Sequence, residues 1–244
     1  MIKRIGFVAR RSGTSIEDFH AQWRGRHADL VAASPAGAEH LLRYEQHRRT
    51  DRDYERTECP WDGVAIQWYD SWEGFTTMRA DERHAAVRAD AAELFGDVLE
   101  IFTGEEMEVI AGPADRGEPI TKLICGVRHQ PGMDLDDFHR YWWEVHGPLN
   151  RDTPAVRKYF IRYEQNHRLR EDYARAECDL DGVTVEWFRT ARDFFGMAVD
   201  PESSSVIRAD EANFLDPDGL LWLLTGPEHV VLTRLVGGSA GTSA

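Results

Sequence analysis

Phe19-His20-Ala21-Gln22-Trp23 returns later in the chain as Phe138-His139-Arg140-Tyr141-Trp142, a shift of 119 residues. The same shift carries His27 onto His146 and Arg43-Tyr44-Glu45-Gln46 onto Arg162-Tyr163-Glu164-Gln165. It also maps Asp53-Tyr54 onto Asp172-Tyr173, Glu58-Cys59 onto Glu177-Cys178, Asp62-Gly63-Val64 onto Asp181-Gly182-Val183, and Trp68 onto Trp187. Of the 50 ungapped positions from 19 to 68, 21 are identical to their counterparts. A repeat of this length is a duplicated domain rather than a solenoid, whose period would be roughly 20–50 residues. The expected organisation is a first unit over 1–110, a Gly/Pro-bearing linker over 111–119, a second unit over 120–236 and a disordered Gly/Ser tail over 237–244.

Composition narrows the possible functions. The 244 residues hold 29 Lys and Arg against 43 Asp and Glu, a formal charge of −14. Such a chain repels phosphate backbones and anionic membranes, which argues against nucleic-acid or membrane partners. No apolar run reaches the ~20 residues that cross a bilayer, and Met1-Ile2-Lys3-Arg4-Ile5-Gly6 reads directly into a strand, so a cytoplasmic protein is expected. Cys59, Cys125 and Cys178 lack the spacing of a zinc site, and for Cys59 and Cys178 buried structural thiols are the expectation. There is no GxGxxG or Walker sequence, so no nucleotide cofactor is implied.

Within each unit, periodicity predicts a first strand (Lys3–Ala9, Thr121–His129) and a helix capped by Ser15 or Asp134 with acids in its first turn. Second strands follow over Leu41–Arg48 and Tyr159–Arg168. Third strands, opened by the turn pair Asp-Gly, cover Val64–Tyr69 and Val183–Phe188. A second helix spans about Trp72–Phe95 and Arg192–Leu215, and last strands lie at Met107–Ile110 and His229–Leu232. The order β-α-β-β-α-β, occurring twice, is ferredoxin-like. Each antiparallel sheet covered on one face needs a partner for the other, so the fold class is α+β, with two fused units closing into a pseudo-symmetric barrel. The fused pair is its own pseudo-dimer, with a further homodimer left open.

Candidate chemistry concentrates on the first helix of each unit. His20, Trp23 and His27, like His139, Trp142 and His146, stand at i, i+3 and i+7 on one expected helix face. Two turns separate the histidines, roughly 10 Å, too far to share a metal ion. Facing a cavity, such a stripe gives an apolar wall and a base titrating near neutral pH. On the second strand, alternation sets Arg162, Glu164 and Asn166 on one face and Tyr163, Gln165 and His167 on the other. One face meets either a wet cavity or an ion-pair network locking two sheets together. Asp90 and Asp210, each in Arg-Ala-Asp near the end of the second helix, are within reach of the pocket but are expected rather at the surface or as caps, and His84 is expected in solvent.

Asp137-Phe138-His139-Arg140-Tyr141-Trp142-Trp143-Glu144-Val145-His146-Gly147-Pro148-Leu149, followed by Arg162-Tyr163-Glu164-Gln165-Asn166-His167, resembles the EthD family. Asp181-Gly182-Val183 and Arg208-Ala209-Asp210-Glu211 resemble it too, so the chain looks like a tandem EthD protein. The resemblance implies a dimeric α+β barrel in a catabolic or polyketide setting. Some fungal relatives are similar to dehydratases or decarboxylases of aromatic polyketides, and related barrels include cofactor-free monooxygenases and muconolactone isomerases. The first unit departs from the family pattern, reading Ala28-Asp29-Leu30 after His27 and Gln46-His47-Arg48 where the family has Gln-Asn-His. The second site is therefore expected to be the active one.

The resulting expectation is a cofactor-free acid/base enzyme of dehydratase, isomerase, cyclase or decarboxylase type acting on a small aromatic or polyketide-like compound. Its expected catalytic residues are His146, His167, Asn166 and His27. Trp142, Tyr163, Arg162, His139, Trp23, Tyr44 and Arg43 are the expected substrate contacts, with no metal. A cofactor-independent monooxygenase of phenols and a non-catalytic ligand-binding protein are the alternatives. A haem below a helix histidine stays open, on no signal other than the histidine.

Overall fold

The computed structural model describes residues 1–112, 120–175 and 177–234. Residues 113–119 of the expected linker and the expected tail 237–244 lie outside the described residues. The first unit runs β1 (Ile2–Arg10), α1 (Ile16–Gln22), a π turn (Trp23–His27), α2 (Ala28–Ala33), α3 (Pro35–His40), β2 (Leu41–Arg48), β3 (Gly63–Tyr69), α4 (Trp72–Ala80), α5 (Ala85–Leu94) and β4 (Phe95–Thr103). After β5 (Met107–Ile110) the order recurs: β6 (Thr121–Val127), α6 (Leu135–Tyr141), a π turn (Trp142–His146), α7 (Gly147–Asp152), α8 (Pro154–Arg157), β7 (Phe160–His167), β8 (Gly182–Phe188), α9 (Ala191–Val199), α10 (Pro201–Glu211) and β9 (Leu221–Thr225), closed by β10 (His229–Thr233). Gly13 and Gly132, both at φ 88, make the left-handed step into each first helix. Ser15 and Asp134 then cap those helices through their side chains.

The strands form two antiparallel five-stranded sheets, ordered β10-β2-β3-β1-β4 and β5-β7-β8-β6-β9. The units are ferredoxin-like, and their sheets close face to face as a dimeric-type α+β barrel. Ile5, Phe7 and Ile66 of one unit share a core with Ile124, Val185 and Leu223 of the other. Helices cover the outer faces over separate cores around Trp23 and Phe102, and around Trp142 and Phe214.

Two expectations change. Met107–Ile110 and His229–Leu232 are not the fourth strands: β4 and β9 hold those places, paired with β1 and β6. β5 and β10 are fifth strands exchanged between units, β5 adding to β7 and β10 to β2. The exchange covers sheet edges that would otherwise present unpaired backbone groups. The second helices are also each broken in two, at Asp81 and Asp200, where extended residues cap the following turn.

The Asp-Gly pairs are not hairpin turns either. Gly63 and Gly182 begin strands because an indole lies against each. A Cβ on Gly63 would sit 2.6 Å from the Trp23 ring and 2.7 Å from the His47 carbonyl oxygen. Asp62 and Asp181 accept the backbone N–H of Arg10 and His129, both at 2.7 Å.

Candidate functional site

The stripe of each first helix is pulled apart by its π turn, which rotates the following residues away from the α-helical register. Gln46 and Gln165 donate Nε2 to the carbonyls of Trp23 and Trp142, both at 2.8 Å, giving the first carbonyl of each wide turn a side-chain partner. Trp23 and Trp142 are fully buried packing residues. His20 and His139 point to the far end of their helices, bonded to the hydroxyls of Tyr54 (2.9 Å) and Tyr173 (3.1 Å). Only His27 and His146 reach the space between helices and sheet.

There each histidine meets a carboxylate that was expected elsewhere. His27 Nδ1 lies 2.9 Å from Asp90 Oδ2, and His146 Nδ1 lies 2.7 Å from Asp210 Oδ2. Asp90 and Asp210 are buried partners, not surface or capping residues. An Nδ1–H held by a carboxylate leaves Nε2 as the basic nitrogen and stabilises the imidazolium once a proton arrives.

The two dyads then differ. His27 Nε2 has no hydrogen-bond partner among the described residues, and the ring lines a cavity of about 610 Å³ walled by Val31, Tyr44, Phe75, Met78, Val87 and Phe95, among others. Burial, opposed by Asp90 and assisted by the Arg4 charge, holds His27 below the ordinary histidine value, so it is neutral at pH 7. His84, expected in solvent, is also buried on this wall, 2.8 Å from the Ser34 hydroxyl. In the second unit, Asn150 Nδ2 stands 3.0 Å from His146 Nε2, and the cavity holds about 190 Å³. Asn150 occupies the place of Val31.

The floors differ in charge. Arg4 and Gln67 in the first unit correspond to Leu123 and Glu186 in the second, as paired strand positions. Burial, then repulsion from Glu211, pushes the Glu186 carboxyl up to about 8. Glu211 is raised as well, chiefly by burial. These two acids, Arg4 and His84 were missed by the sequence reading. The available signal for Asp90 and Asp210 was their shared Arg-Ala-Asp context.

The other expected site residues lie apart from the His146 cavity. Asn166 faces the space between the sheets, where the ammonium group of Lys3, from the other unit, donates to it at 2.7 Å. Arg162 is tied there to Glu164 and Glu108, and Arg43 to Glu45, so this face holds an ionic network between the sheets. His167 is on the helix side but bonds His139 (2.8 Å) beneath Trp142, at a ring separation of 4.4 Å. Burial, then His139, lowers His167 to about 3, and burial with Arg48, Arg24 and Arg10 lowers His20 to about 3. Neither Asn166 nor His167 lines the His146 cavity. Tyr44 lines the first cavity, whereas Tyr163 stands edge-on to His146, 6.4 Å between ring centres. Among the described residues no three His, Cys, Asp or Glu side chains are grouped to hold a metal ion, and no helix is long and apolar enough to cross a membrane.

The EthD domain model matches residues 11–97 and 130–218, and the chain belongs to that family, in tandem form. No curated protein matches it. Among solved structures, an anthrone oxidase-like protein is similar at TM-score 0.64 and 9% identity, covering 97% of this chain and 96% of that one. A candidate monooxygenase from Lactobacillus acidophilus NCFM gives TM-score 0.51 at 11% identity, with 97% and 96% covered. A mutant chlorite dismutase from Candidatus Nitrospira defluvii gives TM-score 0.54 at 11% identity, with 93% and 90% covered. At these identities the likeness is one of fold.

Proposed function

We propose that the protein is an acid/base enzyme for a small aromatic or polyketide-like carbonyl compound, and that its working site is the first-unit cavity with His27 as general base. The carrying observation is a carboxylate-held imidazole with its other nitrogen open: His27 Nε2, without a hydrogen bond among the described residues, faces about 610 Å³ of largely apolar space while Asp90 holds Nδ1. His27 takes the proton from the carbon next to the substrate carbonyl, and the C–H electron pair moves into the enolate. The imidazolium then returns the proton to another carbon or to a departing oxygen. Positioned proton transfer of this kind contributes typically about 10²–10⁴-fold. The second dyad, capped by Asn150 over a cavity one third the size, supports the barrel.

The names of the similar structures favour a second reading of the same site. A phenol deprotonated by His27 gives an electron-rich anion that reacts with O2. Oxygen uptake, measured alongside hydrogen–deuterium exchange into aromatic ketones and lactones, separates the two chemistries. His27→Gln is expected to lower turnover by about 10² or more, and His146→Gln to leave most of it. Turnover that survives His27→Gln, or that vanishes in His146→Gln, overturns the assignment. Tight binding with no turnover of any substrate would make the protein a carrier.

A further inference from the structure

We infer that the first-unit cavity selects an anionic substrate, an aromatic carboxylate or phenolate, and that Arg4 reads the charge. The inference rests on the site assignment above and names its substrate class. Glu100 is the meeting point of three guanidinium groups: Arg4 Nε at 2.6 Å, Arg175 Nη2 at 2.9 Å and Arg79 Nη1 at 3.4 Å. One carboxylate cannot neutralise three cations. Arg175 also reaches Asp172 at 3.3 Å, but Arg168 holds that carboxylate at 2.8 Å. Arg88, also on the cavity wall, bonds only the carbonyls of Arg79 and Asp81 among the described residues. Of the groups lining the cavity, four arginines face two carboxylates, Glu100 and Glu177, and Glu177 is mostly in solvent, 3.9 Å from Arg175. Both histidines on the wall are held below their ordinary value, so they leave the excess of two positive charges as it is.

Arg4 is placed to read that excess. Its Nε is committed to Glu100 and its Nη1 to the neutral amide oxygen of Gln67 at 2.7 Å, while its Nη2 has no hydrogen bond among the described residues. The second unit acts as an internal control. Duplication kept its His–Asp dyad, yet Arg4 is replaced by Leu123, Gln67 by Glu186 and Ala91 by Glu211, so that cavity sets Arg208 alone against two carboxyl groups and has no excess of cations. A local positive field inside a chain of charge −14 must be built by specific residues, and here Arg175 comes from the other unit. The fused partner thus completes the mouth of the cavity.

The test is binding of 2-naphthoate against its uncharged isostere 2-naphthamide, followed by calorimetry on the full chain at low and high salt. The expected result is at least about tenfold preference for the carboxylate, weakened by salt and lost in Arg4→Met. Arg79→Met, a change at a half-exposed side chain, provides a second variant and should reduce the preference partially. Equal binding of the two probes, binding of neither, or a preference unchanged in both variants overturns the inference. The site assignment fails separately: carboxylate preference with turnover intact in His27→Gln removes the base and leaves the charge reading standing.

Discussion

Asp90→Asn tests the dyad without requiring a substrate. In the wild type, Asp90 is 1% exposed and receives His27 Nδ1 at 2.9 Å, Arg26 Nε at 3.0 Å and Gln22 Nε2 at 3.5 Å. All three are donors, so an asparagine of the same size must satisfy them with one oxygen and turn its amide N–H groups toward the others. A hydrogen bond to a charged group contributes about 1.5–3 kcal/mol and a neutral one about 0.5–1.5, a difference of about 1–1.5 kcal/mol against the imidazolium. At 1.36 kcal/mol per unit, the His27 midpoint should fall by about one pH unit. The measurement is a titration of the histidine Cε1–H resonances by NMR. Arg4→Met should move the same resonance upward, because the Arg4 charge opposes protonation of His27. If His27 takes a proton in the slow step, Asp90→Asn also lowers kcat/KM by about tenfold. A His27 midpoint that is unchanged or raised in Asp90→Asn refutes the dyad as an electrostatic device and leaves Asp90 a packing partner.

Two stability predictions follow from the same geometry. Gly63→Ala forces a Cβ to within 2.6 Å of the Trp23 ring, and overpacking of this kind costs about 1–3 kcal/mol. Gly25→Ala meets nothing within 4 Å in a helical segment and should gain about 0.5–1 kcal/mol; urea melts of both variants check the contrast, and equal effects would contradict it. Glu186→Gln installs the residue that the first unit carries at Gln67. The Glu186 carboxyl is raised from 4.5 to about 8, so its stabilising contribution is complete below pH 4.5 and is lost as pH rises through 8. The variant's advantage over wild type should therefore grow from pH 5 to pH 8 and then level off, reaching on the order of 1–3 kcal/mol after allowance for solvent screening. An advantage independent of pH would show that Glu186 is not titrating in that window.

The sequence by itself determined the duplication, the α+β class and the element order as far as each unit's second helix. Each follows from local patterns: Phe19-His20 recurring as Phe138-His139, Ser15 and Asp134 before their helices, and alternation along Arg162–His167. Burial on one face writes a period into the chain, and a period can be read without knowing what provides the burial. The alternation even separated Arg162, Glu164 and Asn166 from Tyr163, Gln165 and His167 correctly, though not which set faced the helices. Only the tertiary structure decided the rest. Met107–Ile110 reads as a strand whichever sheet it joins, and its pairing with β7 rather than its own unit is a non-local choice. The stripe of His20, Trp23 and His27 assumes α-helical spacing, which the π turn breaks with the help of Gln46, more than twenty residues away. Likewise, a His–Asp dyad present twice gave no sign of which copy would open onto usable space. That depends on Val31 against Asn150, and on Arg4 with Gln67 against Leu123 with Glu186. Free volume and uncompensated charge are sums over side chains brought together from distant strands, so no single segment carries them.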